Sequence, residues 1–132
     1  MFGIFNTTTI PALEQTLSFS QKRHELLAGN LANLDTPGYR AKDLDIGDFQ
    51  NALAESIDTH QRAIDSGQPL TRDDIRSEPR DAMEQVVYHD QSDVSLEQQV
   101  SEVAKNEHMH ALAITTMRSQ FALLRAAITE RA

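Results

Sequence analysis

The chain has no cysteine and no tryptophan, and among 132 residues it has five glycines, four prolines and seven aromatic rings. Without cysteine there are no disulfides and no thiolate chemistry. Too few glycines cluster to build a phosphate-cradling loop, and no Gly-x-Ser-x-Gly run is present. No apolar run approaches the ~18–20 residues that a membrane-spanning helix needs. The opening MFGIFNTTTI lacks a basic start and a long apolar stretch, so a cleavable secretory signal is not expected. Nor is there a clustered basic face of the kind that binds nucleic acid.

What charge there is sits in one place. The net charge is −8. Residues 1–34 hold two acids and two bases, and residues 94–132 hold four of each. Residues 35–93 hold fourteen acids against six bases, which accounts for the whole excess. Two neutral ends can approach other copies of themselves without net repulsion, while the acidic middle is expected to be solvated.

Each neutral end is periodic. Ile10, Leu13, Leu17, Ser20, His24, Leu27, Leu31 and Leu34 alternate spacings of three and four. This predicts a first helix over 10–34, capped by Thr8 or Thr9, with Pro11 in its first turn. Leu96, Val100, Val103, Glu107, His110, Ile114, Met117, Phe121, Leu124 and Ile128 repeat the pattern and predict a second helix over 94–129. Ser95 with Gln98 fits its capping box. Two stripes of one period are expected to face each other. Phe19, Leu26, Leu112 and Leu123 lie off the stripes and are expected to be left over. Such a hairpin is a marginal core, so further association is expected.

Between the helices the expectations are weaker. Asp45 can cap a short helix bearing Phe49, Leu53 and Ile57. Residues 58–80 read as a long polar loop, and residues 85–88 as a short strand. The fold class is therefore all-α: residues 1–39 and 94–132 form a discontinuous coiled-coil hairpin, and residues 40–93 form a mostly irregular acidic insert. Ahead of the first helix, Phe2, Ile4 and Phe5 lack a local apolar partner and are candidates for docking.

The exit from the first helix is the most specific stretch. Residues 27–40 read LAGNLANLDTPGYR. Asn33 is a candidate left-handed helix terminus, and Pro37-Gly38 fits the centre of a type II turn before Tyr39. The run Asn30-Leu31-Ala32-Asn33, then Asp35-Thr36-Pro37-Gly38-Tyr39, resembles the N-terminal motif of bacterial flagellar axial proteins, the rod and hook family. The stretch from Tyr39 to Asp45 with Phe49, and the second helix from Val94-Ser95-Leu96-Glu97 through Ala104-Lys105-Asn106 to Arg125-Ala126-Ala127-Ile128, resemble the short rod members. Gln91-Ser92 departs from the Gly-Asn pair that the family often has there.

The resemblance implies a non-enzymatic structural protein of the flagellar basal body, with no cofactor, no small-molecule substrate and no nucleic acid. It implies export from the cytoplasm by the flagellar type III apparatus without a cleaved signal. Copies of the chain, other rod proteins, and ring or export-gate adaptor proteins at the base are the implied partners. Helical assembly through the terminal helices assigns a seam to Leu13, Leu17, Leu27, Leu31, Val100, Val103, Ile114, Met117, Phe121, Leu124 and Ile128, and export or docking to Phe2, Ile4 and Phe5. The residues alone leave one alternative, a soluble coiled-coil adaptor whose acidic loop binds a partner. Glu107-x-x-His110 has the spacing of a carboxylate-bridged metal helix, but the pattern occurs once where such sites need it twice. A polar layer that sets register is the plainer expectation for Glu107, His110 and His24.

Overall fold

The fold was obtained as a computed structural model that describes residues 9–69, 77–89 and 95–130. It is mostly helical, in the order α1 (Ile10–Ala32), β1 (Lys42–Leu44), α2 (Ile46–Asp65), α3 (Ser77–Glu84), β2 (Val86–Tyr88) and α4 (Leu96–Thr129). Helix α1, roughly 35 Å long, packs against α4, roughly 51 Å long. Residues near the end of α1 meet the beginning of α4, as in Asn30 with Gln99, so the pair is antiparallel. Among the described residues, no helix is long and apolar enough to cross a membrane.

Local chemistry sets the helix ends. Ser95 Oγ accepts from Gln98 N at 3.2 Å, as its capping box requires. Asp45 caps α2 in the same way, accepting from Asp48 N at 3.0 Å. Thr9 occupies the cap position of α1 but makes no side-chain cap bond. Helix α1 ends at Ala32, and Asn33 has φ −114°, so it is not left-handed as the sequence suggests. Its amide already reaches Asn30 O at 3.2 Å, which closes the last turn without a positive φ.

The middle of the chain is more ordered than its polarity suggests. Helix α2 does not stop near Ile57 but runs to Asp65. Its inward face continues from Phe49 and Leu53 through Ser56 and His60, both buried, to half-buried Ile64. The polar residues at inward positions hide this face from a hydropathy reading. Gly67, at φ 70°, then stops the helix: Gly67 N reaches Ile64 O at 3.1 Å and Gln68 N reaches Ala63 O at 3.0 Å, a Schellman motif. Helix α3 occupies the end of the expected loop. Strand β2 pairs antiparallel with β1, with Asp43 opposite Val87.

These elements fold back on α1. Phe19, Leu44, Phe49 and Met83 form one buried cluster, joined by Leu26, Ile46, Leu53, Ala82, Val86 and Met109. Phe19 and Phe49 stack with ring centroids 4.0 Å apart. Every element thus contributes to one core. Phe19 and Leu26 are not left over, because the insert covers them; Leu112 and Leu123 are exposed.

Candidate assembly interface

Helix α1 is packed on two sides. At 100° per residue, Phe19 and Leu26 point at the insert, while Ser20 and Leu27 lie about 100° round the helix toward α4. Arg23 and Asn30, one heptad apart, fall between those directions and are almost fully buried. The centre of burial is therefore turned away from the apolar stripe. Leu13, Ser20, Leu27 and Leu34 stay in or beside the interface, but His24 and Leu31 are exposed and Leu17 is half-buried.

The same displacement occurs on α4. Val103, His110, Met117 and Leu124 are half-buried. The other half of the stripe gives way to residues one position earlier: Gln99, Asn106 and Ala113 are buried and Gln120 is half-buried, whereas Leu96, Val100, Glu107, Phe121 and Ile128 are exposed and Ile114 is half-buried. The expectation that both whole stripes meet is thus replaced by a contact that is half apolar and half polar.

Three polar layers fill the contact. In the first, Arg23 forks onto Asp43, with Nε donating to Oδ1 and Nη2 to Oδ2, both at 2.8 Å. Nη2 also donates to Glu102 at 2.6 Å, and Lys105 reaches the other Glu102 oxygen at 2.7 Å. Burial alone would lower the Arg23 pKa, but the bonds and charges of Asp43 and Glu102 outweigh it and raise it. The bond from Lys105, then that from Arg23, holds the Glu102 carboxyl below its usual range.

In the second layer, Asn30 uses its full hydrogen-bonding capacity. Its Nδ2 donates to Lys42 O at 2.7 Å and to Gln99 Oε1 at 3.2 Å. Its Oδ1 accepts from Lys42 N at 2.8 Å and from the Tyr39 hydroxyl at 3.2 Å.

In the third layer, Asn106 Nδ2 donates to Ser20 O at 2.8 Å, and its Oδ1 is buried without a partner. Ser20 Oγ lies within hydrogen-bond distance of Leu17 O at 2.9 Å and of His110 Nδ1 at 2.7 Å. His24 and Glu107 sit on the rim of this layer, on a cleft of about 290 Å³. Among the described residues no group of three or more His, Asp or Glu is placed to hold a metal.

The turn that delivers β1 to these layers is type II. Gly38 has φ 77°, and Tyr39 N donates to Thr36 O at 3.2 Å across Pro37-Gly38. Asn33 Nδ2 back-bonds to Gly29 O at 2.8 Å, and Thr36 Oγ1 reaches Asn33 Oδ1 at 3.2 Å. Of the motif, only Asn30 is buried; Asn33 and Tyr39 are half-buried, and Leu31, Ala32, Asp35, Thr36, Pro37 and Gly38 are exposed. Phe2, Ile4 and Phe5 lie outside the described residues. Sequence reasoning missed Arg23, Asp43, Gln99, Glu102 and Asn106. A signal existed, since polar residues recur seven apart just ahead of each apolar stripe, at Arg23 and Asn30 and at Gln99 and Asn106.

The fold and this interface define a class: a helical hairpin, closed by polar layers and braced by its insert, with apolar side chains left on its outside. The relatives narrow it. The flagellar basal body rod protein FlgB of Bacillus subtilis is 27% identical over 127 residues, which is 92% of this chain and 93% of that protein. FlgB of Aquifex aeolicus is 30% identical over 97 residues, 69% of this chain and 68% of that one. FlgB of Proteus mirabilis is 53% identical over 32 residues, about a quarter of each chain. No protein-family model matches the chain, and no solved structure matches it significantly. The chain belongs to the FlgB family of flagellar basal body rod proteins.

Proposed function

We propose that the chain is a structural, non-catalytic subunit of the flagellar basal-body rod. It assembles helically with copies of itself and with other rod proteins, above ring and export-gate adaptor proteins at the base. It reaches the periplasmic rod through the type III export apparatus, with no cofactor. Family membership supports the rod assignment. The observation that carries the assembly mode is the apolar surface of α4, where Leu96, Val100, Phe121 and Ile128 on one flank and Leu112 and Leu123 on the opposite side are all about half exposed or more. Apolar side chains left facing water on two sides of one helix mark surfaces that other chains cover. The exposure extends beyond the last polar layer, since Phe121 to Thr129 are exposed apart from Leu124.

Deleting the gene in its host and imaging the cell envelope, with complementation, tests the assignment. The membrane ring is expected to persist while rod, hook and filament are lost. Intact flagella and normal swimming, in a strain with no second copy, would overturn it. Complementation with Phe121→Asp tests the surface: it should leave the chain folded and fail to restore swimming.

A further inference from the structure

Arg23 and Asn30 share a feature. Each is a single side chain on α1 that binds the insert and α4 at once. Arg23 joins Asp43 of β1 to Glu102 of α4, and Asn30 joins the Lys42 backbone of β1 to Gln99 of α4. Both are almost fully buried, Arg23 at 2% and Asn30 at 1% exposed. We propose that this pair forms a coupling device, so that detachment of α4 from α1 releases β1, and release of β1 loosens α4.

The chemistry argues for one event rather than two. A guanidinium that loses Glu102 keeps a neutralising partner only while Asp43 stays, and Asp43 is held by that same guanidinium. If β1 leaves instead, Arg23 loses two of its three hydrogen bonds and keeps only Glu102, and a buried charge so depleted of partners is costly. Asn30 behaves likewise with neutral groups. It has no spare donor or acceptor, so losing either neighbour orphans an amide group in a buried position. Strand β2 follows β1 through their ladder and through the bond from His89 N to Ala41 O at 2.9 Å. The hairpin and the insert therefore open together, and a partner chain that draws α4 aside would also free the sheet. This inference rests on the geometry alone and stands or falls independently of the rod assignment.

Amide hydrogen exchange on the full chain tests it, because local openings are read element by element. Glu102→Gln perturbs the device from α4, and Asp43→Asn perturbs it from the insert. Coupling is reciprocal, so each must act on the other side. Glu102→Gln should speed exchange at Lys42 and His89 about tenfold, and Asp43→Asn should speed exchange around residues 102–106 of α4 by about the same factor. Tyr39→Phe removes one hydroxyl from Asn30 and keeps the test open if either charge variant fails to fold; it should speed exchange in both β1 and the start of α4 about threefold. Faster exchange confined to the element that carries the substitution would overturn the proposal.

Discussion

The two halves of α4 invert the usual rule. From Leu96 to Ala113 the helix places Gln99, Glu102, Asn106 and His110 against α1, and these polar groups are buried or half-buried. From Ile114 to Thr129 it carries Phe121, Leu123 and Ile128, and these apolar groups face water. Polar side chains inside an interface stabilise it only with partners of fixed geometry, which tie the first half to one neighbour in one register. Apolar groups are tolerant of partner and angle. On its α1-facing side the first half is committed within the chain, whereas the second half, like exposed Leu96, Val100 and Leu112, is chemically suited to commitments outside it.

The largest expected effects break the committed half. Phe19→Ala removes a fully buried ring stacked on Phe49 and should cost about 3–5 kcal/mol in urea denaturation. Arg23→Ala removes the cation that Asp43 and Glu102 share, leaving Glu102 only exposed Lys105, and should cost about 3 kcal/mol; both carboxylates keep some access to water, so the lower end of the usual range applies.

Acid should weaken the same half. The folded state holds the Glu102 carboxyl below its usual range, so this contribution is fully present above the unfolded pKa and is lost as pH falls through the folded one. Stability measured by denaturation should decline as pH drops below about 4.5, the ordinary glutamate value, and the decline should be shallower in Glu102→Gln. Exposed Lys105 supplies part of this shift, so added salt should reduce it.

Smaller effects mark the turn and the free half. Gly38→Val should cost about 1–3 kcal/mol, chiefly from backbone strain at positive φ, because a Cβ there meets no neighbouring atom. Leu123→Ser should change stability by less than about 0.5 kcal/mol, since Leu123 is exposed, yet it should reduce swimming in a complementation assay. Equal loss of stability from substitutions in the two halves would erase the distinction between them.

Much of the fold was legible in the residues, but this division was not. Heptad spacing located both long helices to within about two residues, the Ser95 and Asp45 caps formed as read, and Pro37-Gly38 made the type II turn. Hydropathy could not reveal that α1 is packed on two sides, because that depends on where the insert lands. Once Phe49 stacks on Phe19, the middle of the buried face falls on Arg23 and Asn30. These residues read as surface in isolation, since the groups that satisfy them come from Lys42, Asp43, Gln99 and Glu102, far away in sequence. The second half of α2 was hidden for a similar reason, as Ser56 and His60 occupy inward positions where a hydropathy pattern expects leucine.

The absence of cysteine allows the central claim to be tested with a single thiol. Leu123→Cys places one on the exposed half of α4, and its reaction with a maleimide can be followed by mass spectrometry of the peptide in the purified chain and in isolated basal bodies. The account predicts rapid labelling of the purified chain and strong protection in basal bodies, where neighbouring subunits cover this face. Equally rapid labelling in both would contradict it, because the apolar half of α4 would then remain uncovered in the assembled structure.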